Sequence, residues 1–196
     1  MGLQNNIASI LEGHHLVPVI TFKQGDNYNS MMDFLISQGV KCIEITLRTP
    51  EGLKAIKKLK KEYPSEILIG AGTVTTEAQV EQLKSIGTDF IVSPGLTPNL
   101  KVIFENSGIP YLPGVATPSE VMNAREMGLN TLKFFPADLY GGIKALKAFG
   151  NLFPDVKFCP TGGINKETST DYLALNNVFA VGGSWFQADY QKEKNI

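Results

Sequence analysis

The sequence predicts an α/β fold in which eight parallel strands alternate with helices and close into a (β/α)₈ barrel, the TIM barrel. We expect a single domain over residues 1–196. Short apolar runs alternate with longer amphipathic stretches from end to end, which is typical of repeated strand–helix units. The runs are apolar almost throughout, as parallel strands covered on both faces are. Each unit takes roughly 20–25 residues, a size that fits a small barrel.

The elements follow one another in a regular order. The candidate strands cover residues 17–22, 40–46, 67–72, 89–93, 110–113, 131–135, 156–160 and 178–181. The helical patterns between them cover residues 28–38, 50–63, 77–86, 97–106, 118–127, 142–149 and 166–175. A further short helix at about residues 3–13 is expected to cover the bottom of the barrel.

Glycine and proline mark the ends of several predicted helices. Four amphipathic segments are followed by a glycine, which suits a left-handed helix end. These are Gly39, Gly87, Gly108 and Gly128. Three prolines follow a threonine, a pattern typical of an N-cap before a first-turn proline. These are Pro50, Pro98 and Pro118. An open doubly wound sheet is the alternative architecture, but the chain lacks the early glycine-rich dinucleotide fingerprint that usually accompanies it.

The composition gives no indication of a highly charged binding partner. The formal net charge is -1, which argues against nucleic acid or an anionic membrane as a partner. No apolar stretch approaches the roughly 20 residues of a membrane span, and no secretory signal is visible, so we expect a cytoplasmic protein. Cys42 and Cys159 are then expected to be reduced and buried. His14 and His15 lack acidic or cysteine companions nearby, so no metal site is expected.

Lys133 stands in the middle of an apolar run, residues 131–135, where a lysine is unexpected. A fully buried ammonium is costly, so buried lysines tend to be neutral or paired. A neutral lysine is a nucleophile that can condense with a carbonyl group to form a Schiff base. The alternative is an edge-strand lysine whose charged end reaches water.

Glu44 is a second charged residue inside an apolar run, with Ile43 and Ile45 on either side. Each interior layer of such a barrel is built from alternate strands. Glu44 lies on the second predicted strand and Lys133 on the sixth, so the two side chains can face each other across the interior. They could form a buried structural ion pair, or an acid/base beside a Schiff-base lysine; we favour the second.

Further polar or glycine-rich segments follow the strands, at the end of the barrel where active sites of this fold lie. Arg48 comes just after the second strand, and a guanidinium can bind a carboxylate or phosphate with two hydrogen bonds. Thr73 could hydrogen-bond a substrate oxygen, and Pro94 would leave room for a small acid near Lys133. Two glycine pairs follow the last two strands, at 162–163 and 182–183, the second followed by Ser184. Glycine turns in these places are typical of a phosphate site, although they could be tight turns only.

Seven segments together resemble the bacterial 2-keto-3-deoxy-6-phosphogluconate (KDPG) aldolases, also called KHG/KDPG aldolases, over about residues 17–185. The segments are IEITLRT at 43–49, GAGTV at 70–74, SPG at 93–95, PGV at 113–115, LKFFP at 132–136, PTGGI at 160–164 and GGSW at 182–185. Eleven residues follow Trp185, so the last helix is expected to be shorter than is usual in this family.

The resemblance implies a class I aldolase that works without a metal or other cofactor, usually as a homotrimer. Such an enzyme would cleave KDPG to pyruvate and glyceraldehyde 3-phosphate in the Entner–Doudoroff pathway, and could cleave 4-hydroxy-2-oxoglutarate (KHG) to pyruvate and glyoxylate. The resemblance assigns the Schiff base to Lys133 and proton transfer to Glu44. It assigns the carboxylate end of the substrate to Arg48 and Thr73, and phosphate binding to Gly162, Gly163, Gly183 and Ser184. We expect Pro94, Phe135 and Thr161 to bind substrate as well.

Three alternatives remain open from the sequence. The substrate could be the stereoisomer 2-keto-3-deoxy-6-phosphogalactonate, which differs at one hydroxyl group. The chain could instead be a phosphate-binding barrel isomerase or synthase that resembles thiamine-phosphate synthase, which would leave Lys133 and Glu44 without a role. It could also be a sugar-phosphate sensor that binds phosphate esters without turnover.

Overall fold

The computed structural model describes residues 3–194, with side chains from Ile7 to Lys194. The strands are β1 (Leu16–Ile20), β2 (Cys42–Thr46), β3 (Leu68–Gly72), β4 (Phe90–Val92), β5 (Tyr111–Leu112), β6 (Gly114–Val115), β7 (Thr131–Phe134), β8 (Lys157–Pro160) and β9 (Val181–Gly183). The helices are α1 (Leu3–Leu11), α2 (Tyr28–Ser37), α3 (Pro50–Glu62), α4 (Glu77–Ile86), α5 (Pro98–Ser107), α6 (Pro118–Glu126), α7 (Gly142–Leu152), α8 (Lys166–Leu173) and α9 (Trp185–Lys194). No helix in this part of the chain is long and apolar enough to cross a membrane.

The strands pair in parallel around a closed barrel. One run of neighbours is β5-β4-β3-β2-β1-β9, and the other is β6-β7-β8. Only Pro113 separates β5 from β6, and a parallel bridge between Thr161 and Gly182 joins the ends of β8 and β9. The predicted α/β barrel with alternating strands and helices is confirmed.

The fifth predicted strand, residues 110–113, is in fact two short strands. Tyr111–Leu112 pairs with β4, and Gly114–Val115 pairs with β7. Pro113 lies between them, and its nitrogen has no hydrogen to donate to a neighbouring strand. Its carbonyl still accepts a hydrogen bond from the Lys133 N–H at 2.8 Å. The proline therefore divides the strand and yet helps to hold the β7 backbone at Lys133.

The last strand lies further along the chain than the sequence predicts. Residues 178–181 were expected, but β9 is Val181–Gly183, and Val178 forms only an isolated bridge with Phe158. Gly182 and Gly183 are therefore the end of a strand, and the expected second glycine turn is wrong. Glycine is required at Gly182, because an added Cβ would lie 2.3 Å from Thr161 Oγ1.

Apolar side chains form two separate layers. The larger one lies outside the strands and packs them against the helices; it includes Ile43, Ile45 and Phe134. The smaller one fills the lower interior of the barrel and includes Ile7 and Leu11 of α1, together with the thiols of Cys42 and Cys159. α1 packs against β5 and β7 and covers this end of the barrel.

The predicted helix ends are largely found. Each of the four marker glycines has a positive φ, from 74° to 79°. Thr97 and Thr117 accept hydrogen bonds from backbone N–H groups in the first turns of α5 and α6, as N-caps do. Thr49 is different, because its hydroxyl makes no cap hydrogen bond and donates instead to the Phe22 carbonyl at 2.6 Å. Thr49 thus ties the loop after β2 to the loop after β1.

Candidate active site

Lys133 and Glu44 meet inside the barrel, as the parity of their strands predicts. Lys133 Nζ lies 3.2 Å from Glu44 Oε1 and 3.3 Å from Oε2. Both side chains are only 4 % exposed. Because Leu132 and Phe134 point outward to the helices, Lys133 is the residue of β7 that the alternation turns toward Glu44. A buried amine and a carboxylate in hydrogen-bond contact can exchange a proton without water.

Two glycines on β3 make room for this pair. A Cβ added to Gly72 would lie 2.0 Å from Glu44 Oε1, and one added to Gly70 would lie 2.2 Å from the Phe90 ring. Gly72 is paired in register with Thr46, two residues past Glu44 on β2. The sequence singled out this glycine segment, but it did not reveal that the missing side chain accommodates the Glu44 carboxylate.

An aromatic ring and a thiol complete the surroundings of Lys133. The Lys133 ammonium lies over the Phe135 ring, 5.1 Å from its centroid, at a distance that stabilises a cation. Cys159 is the register partner of Lys133 on β8. Burial raises the pKa of the Cys159 thiol to about 12, although the Lys133 charge acts in the opposite direction. The thiol is therefore neutral and does not compete with Lys133 as a nucleophile.

Two threonines that the sequence did not single out lie at the same end of the barrel. Thr46 is fully buried and shares the inward face of β2 with Glu44. Its Oγ1 lies 2.8 Å from Thr21 Oγ1, in the loop after β1. A threonine in a strand is usually a packing or propensity residue, so nothing in the sequence distinguished these two.

Arg48, Thr73 and Pro94 all lie just beyond strand ends at this rim. Arg48 is exposed in the turn after β2, and Pro94 is half-buried after β4. Thr73 has a φ of 61°, a left-handed conformation that is uncommon for a β-branched residue. Such strain persists only where the surroundings enforce it, and it is concentrated at ligand-binding positions.

The two glycine segments lie side by side. Gly162 and Gly163 have φ values of 104° and 67°, so the first segment is the tight turn that the sequence predicts. The bridge between Thr161 and Gly182 brings this turn next to the end of β9, where Ser184 is exposed immediately before α9. Backbone N–H groups and a hydroxyl thus gather at the N-terminus of a helix, an arrangement that suits an anion.

The loop after β7 runs against the first glycine turn. The Ala137 N–H donates to the Thr161 carbonyl at 2.9 Å, and the Asp138 N–H donates to the Gly162 carbonyl at 3.3 Å. Within the described residues, no three His, Cys, Asp or Glu side chains cluster as metal ligands. The groups that the structure brings together at this end are the Lys133 amine, the Glu44 carboxylate and the backbone of the first glycine turn.

Comparison with known proteins identifies the family. The family model for KDPG and KHG aldolase matches residues 7–196. The chain belongs to the KDPG and KHG aldolase family. This aldolase is 45% identical over 178 residues to the KHG/KDPG aldolase of Escherichia coli K12, a match that covers 90% of this chain and 83% of the relative.

Solved structures agree with this assignment. The KDPG aldolase of Legionella pneumophila, in which pyruvate was captured as a covalent carbinolamine intermediate, is 43% identical with a TM-score of 0.86. That match covers 92% of this aldolase and 88% of the Legionella chain. The KDPG aldolase of Zymomonas mobilis with 3-phosphoglycerate is 38% identical with a TM-score of 0.87, and the match covers 93% and 86% of the two chains.

Proposed function

We propose that this aldolase cleaves KDPG to pyruvate and glyceraldehyde 3-phosphate through a Schiff base on Lys133, and that it also cleaves KHG to pyruvate and glyoxylate. The observation that carries the proposal is the buried contact between Lys133 and Glu44. A lysine at the centre of a barrel with a carboxylate as its sole ion-pair partner among the described residues is suited to covalent catalysis.

The first stage forms the imine. Lys133 transfers a proton to Glu44, and the neutral amine adds to the C2 ketone of the substrate to give a carbinolamine. Glu44 returns the proton to the departing hydroxyl, water leaves, and a positively charged iminium remains. The Phe135 ring faces this nitrogen and stabilises its positive charge.

The second stage breaks the carbon–carbon bond. Glu44 accepts the proton of the C4 hydroxyl, directly or through one water molecule, while the C3–C4 bond breaks and its electron pair moves into the iminium. The products are the aldehyde and an enamine on Lys133. Glu44 gives its proton to C3 of the enamine, and water adds to the resulting iminium to release pyruvate and restore the Lys133 ammonium. Because the iminium accepts the electron pair, the scheme requires no cofactor.

The rest of the site would hold the two ends of the substrate. We assign Arg48 and Thr73 to the carboxylate, and Pro94, Phe135 and Thr161 to the chain next to the reacting carbons. Gly162, Gly163, Gly183 and Ser184 would bind the phosphate. We further propose that the chain folds as a single domain. We also propose that it works as a homotrimer, which its mass in solution would test.

Borohydride trapping tests the central step. Incubation with pyruvate and borohydride, followed by intact mass measurement and peptide mapping, should give one reduced adduct on Lys133. Lys133→Ala should give no adduct and essentially no cleavage, whereas Lys84→Ala, an exposed lysine on α4, should retain both. Cleavage by the Lys133→Ala variant would refute the scheme, and assays with both 6-phosphate stereoisomers would identify the preferred substrate.

A further inference from the structure

Gln187 lies at the seam where the last strand of the barrel meets the first. The pairing of β1 with β9 ends at Pro18 and Gly183, because the chain leaves β9 there and begins α9 at Trp185. β1 continues to Ile20, and Thr21 follows it. The backbone of Thr21 thus extends past the end of the neighbouring strand, at the rim that carries the active site.

The side chain of Gln187 takes the place of the missing strand. Its Oε1 accepts a hydrogen bond from the Thr21 N–H at 3.2 Å, and its Nε2 donates to the Thr21 carbonyl at 2.9 Å. A primary amide presents an acceptor and a donor on the same side, so one side chain meets both the N–H and the C=O of Thr21, as two successive peptide groups of an adjacent parallel strand would. The two hydrogen bonds join residues 166 positions apart in the sequence.

Each side of this contact leads to one end of the site. On one side, the Gln187 N–H donates to the Ser184 carbonyl at 3.1 Å, so Gln187 belongs to the turn that begins with Ser184. On the other side, the Thr21 hydroxyl bonds to Thr46, which shares the inward face of β2 with Glu44. This series of contacts therefore connects the turn that begins with Ser184 to β2, the strand that bears Glu44.

We infer that Gln187 is a positioning residue that fixes the phosphate end of the site relative to the Lys133–Glu44 end and thereby sets the preference for phosphorylated substrates. The inference rests on the proposed function. A substrate with a phosphate at one end and a ketone at the other must fit both ends at once, so the separation between them matters. A substrate without phosphate uses only the Lys133 end and does not depend on this separation.

The test compares two readouts in the same variants. Gln187→Met keeps the length of the side chain and removes both hydrogen bonds, and Gln187→Asn keeps the amide on a side chain one methylene shorter, which weakens both hydrogen bonds without adding a charge. Gln191→Met, an exposed glutamine one turn further along α9, is the matched control. The readouts are KM for KDPG, and the rate at which the enzyme exchanges the methyl protons of pyruvate for deuterium, which involves no phosphate.

We expect Gln187→Met to raise KM for KDPG about five- to tenfold, as loss of one or two hydrogen bonds would, and to leave the exchange rate within about twofold of wild type. Gln187→Asn should show a smaller rise, and Gln191→Met none. An unchanged KM in Gln187→Met would overturn the inference. It would also be overturned if the exchange rate fell by the same factor as KM rose, because that result would indicate general disruption of the rim.

Wild-type exchange and adduct formation on Lys133 test the chemistry separately. If both are absent, the proposed function has failed, whatever the variants show. If both are present, the two Gln187 variants decide the positioning role. Should Gln187→Met fail to fold, Gln187→Asn decides it by the same comparison, since a rise in KM without a fall in exchange supports the role and any other pattern refutes it.

Discussion

At the scale of single residues, the site depends as much on an absent side chain as on the charged ones. Glu44 is buried, and a buried carboxylate is tolerated only with close partners. Lys133 is one partner, and Gly72 provides the space in which the carboxylate can reach that lysine. A methyl group at Gly72 would lie 2.0 Å from the Oε1 atom, well inside the contact distance of the two atoms.

Gly72→Ala should therefore reduce catalysis strongly. The added methyl group forces the Glu44 carboxylate away from Lys133 by about 1 Å or more, and a displacement of that size can cost about 10²-fold in rate. The measurement is kcat for KDPG cleavage. The expected loss acts through Glu44, so Gly72→Ala should cost little more in a Glu44→Ala background. Equal losses in both backgrounds would show that Gly72 acts by another route.

Some of these residues could be predicted from the sequence and some could not. Lys133 and Glu44 were predictable because a charge inside an apolar strand is costly, and because strand parity places both on the interior. Thr21 and Gln187 were not, since their contact joins distant segments and either residue is ordinary at a loop or helix surface. Only the closed barrel brings them together.

At the scale of elements, the regular pattern was easier to predict than its exceptions. Apolar periodicity gives the strands and helices because both kinds of element bury one kind of residue at a fixed spacing. It does not show that Pro113 divides the fifth strand, or that Gly182 and Gly183 belong to the last one. Both exceptions depend on neighbours in the barrel, which a linear pattern does not contain.

A hydrogen bond connects the first turns of helices α2 and α3. The Tyr28 hydroxyl donates to Glu51 at the start of α3, and the Tyr28 ring packs on Phe22 with 4.8 Å between centroids. The hydrogen bond to Glu51, with burial second, raises the pKa of Tyr28 to about 12. The pKa of Glu51 is lowered, first by Lys54 and then by Tyr28.

This contact predicts a loss of stability at alkaline pH. A tyrosine whose pKa is higher in the folded state than in the unfolded state, where it is about 10, stabilises the fold below pH 10. The contribution is lost as the pH rises from about 10 to about 12. We expect Tyr28→Phe to be less stable than wild type at pH 8, with a smaller difference at pH 11, in urea unfolding. A difference that does not change with pH would contradict this.

At the scale of the whole molecule, the residues that stabilise the barrel and the residues of the candidate active site lie toward opposite ends. The lower interior of the barrel is apolar and is covered by α1, whereas the charged pair and the rim loops lie toward the other end. Residues at the two ends of such a barrel can therefore be changed with different consequences.

Leu11→Ala should separate the two properties. Leu11 is 1% exposed, and removal of a buried leucine side chain typically costs about 2–5 kcal/mol of stability. The free energy of unfolding in urea should fall by that amount, with KM and kcat at low temperature unchanged. Leu152→Ala, at a leucine that is 61% exposed, is the control and should be nearly neutral. A changed KM would show that the lower end communicates with the site.

The buried thiols allow opening of the barrel to be followed by chemical labelling. Burial raises the pKa of both Cys42 and Cys159, so neither is a reactive thiolate in the folded protein at neutral pH. Cys42 lies below the charged pair in the apolar lower interior, so a thiol reagent can reach that thiol only when the barrel opens. The rate of Cys42 labelling at neutral pH therefore times that opening in the unmodified protein, with no introduced probe.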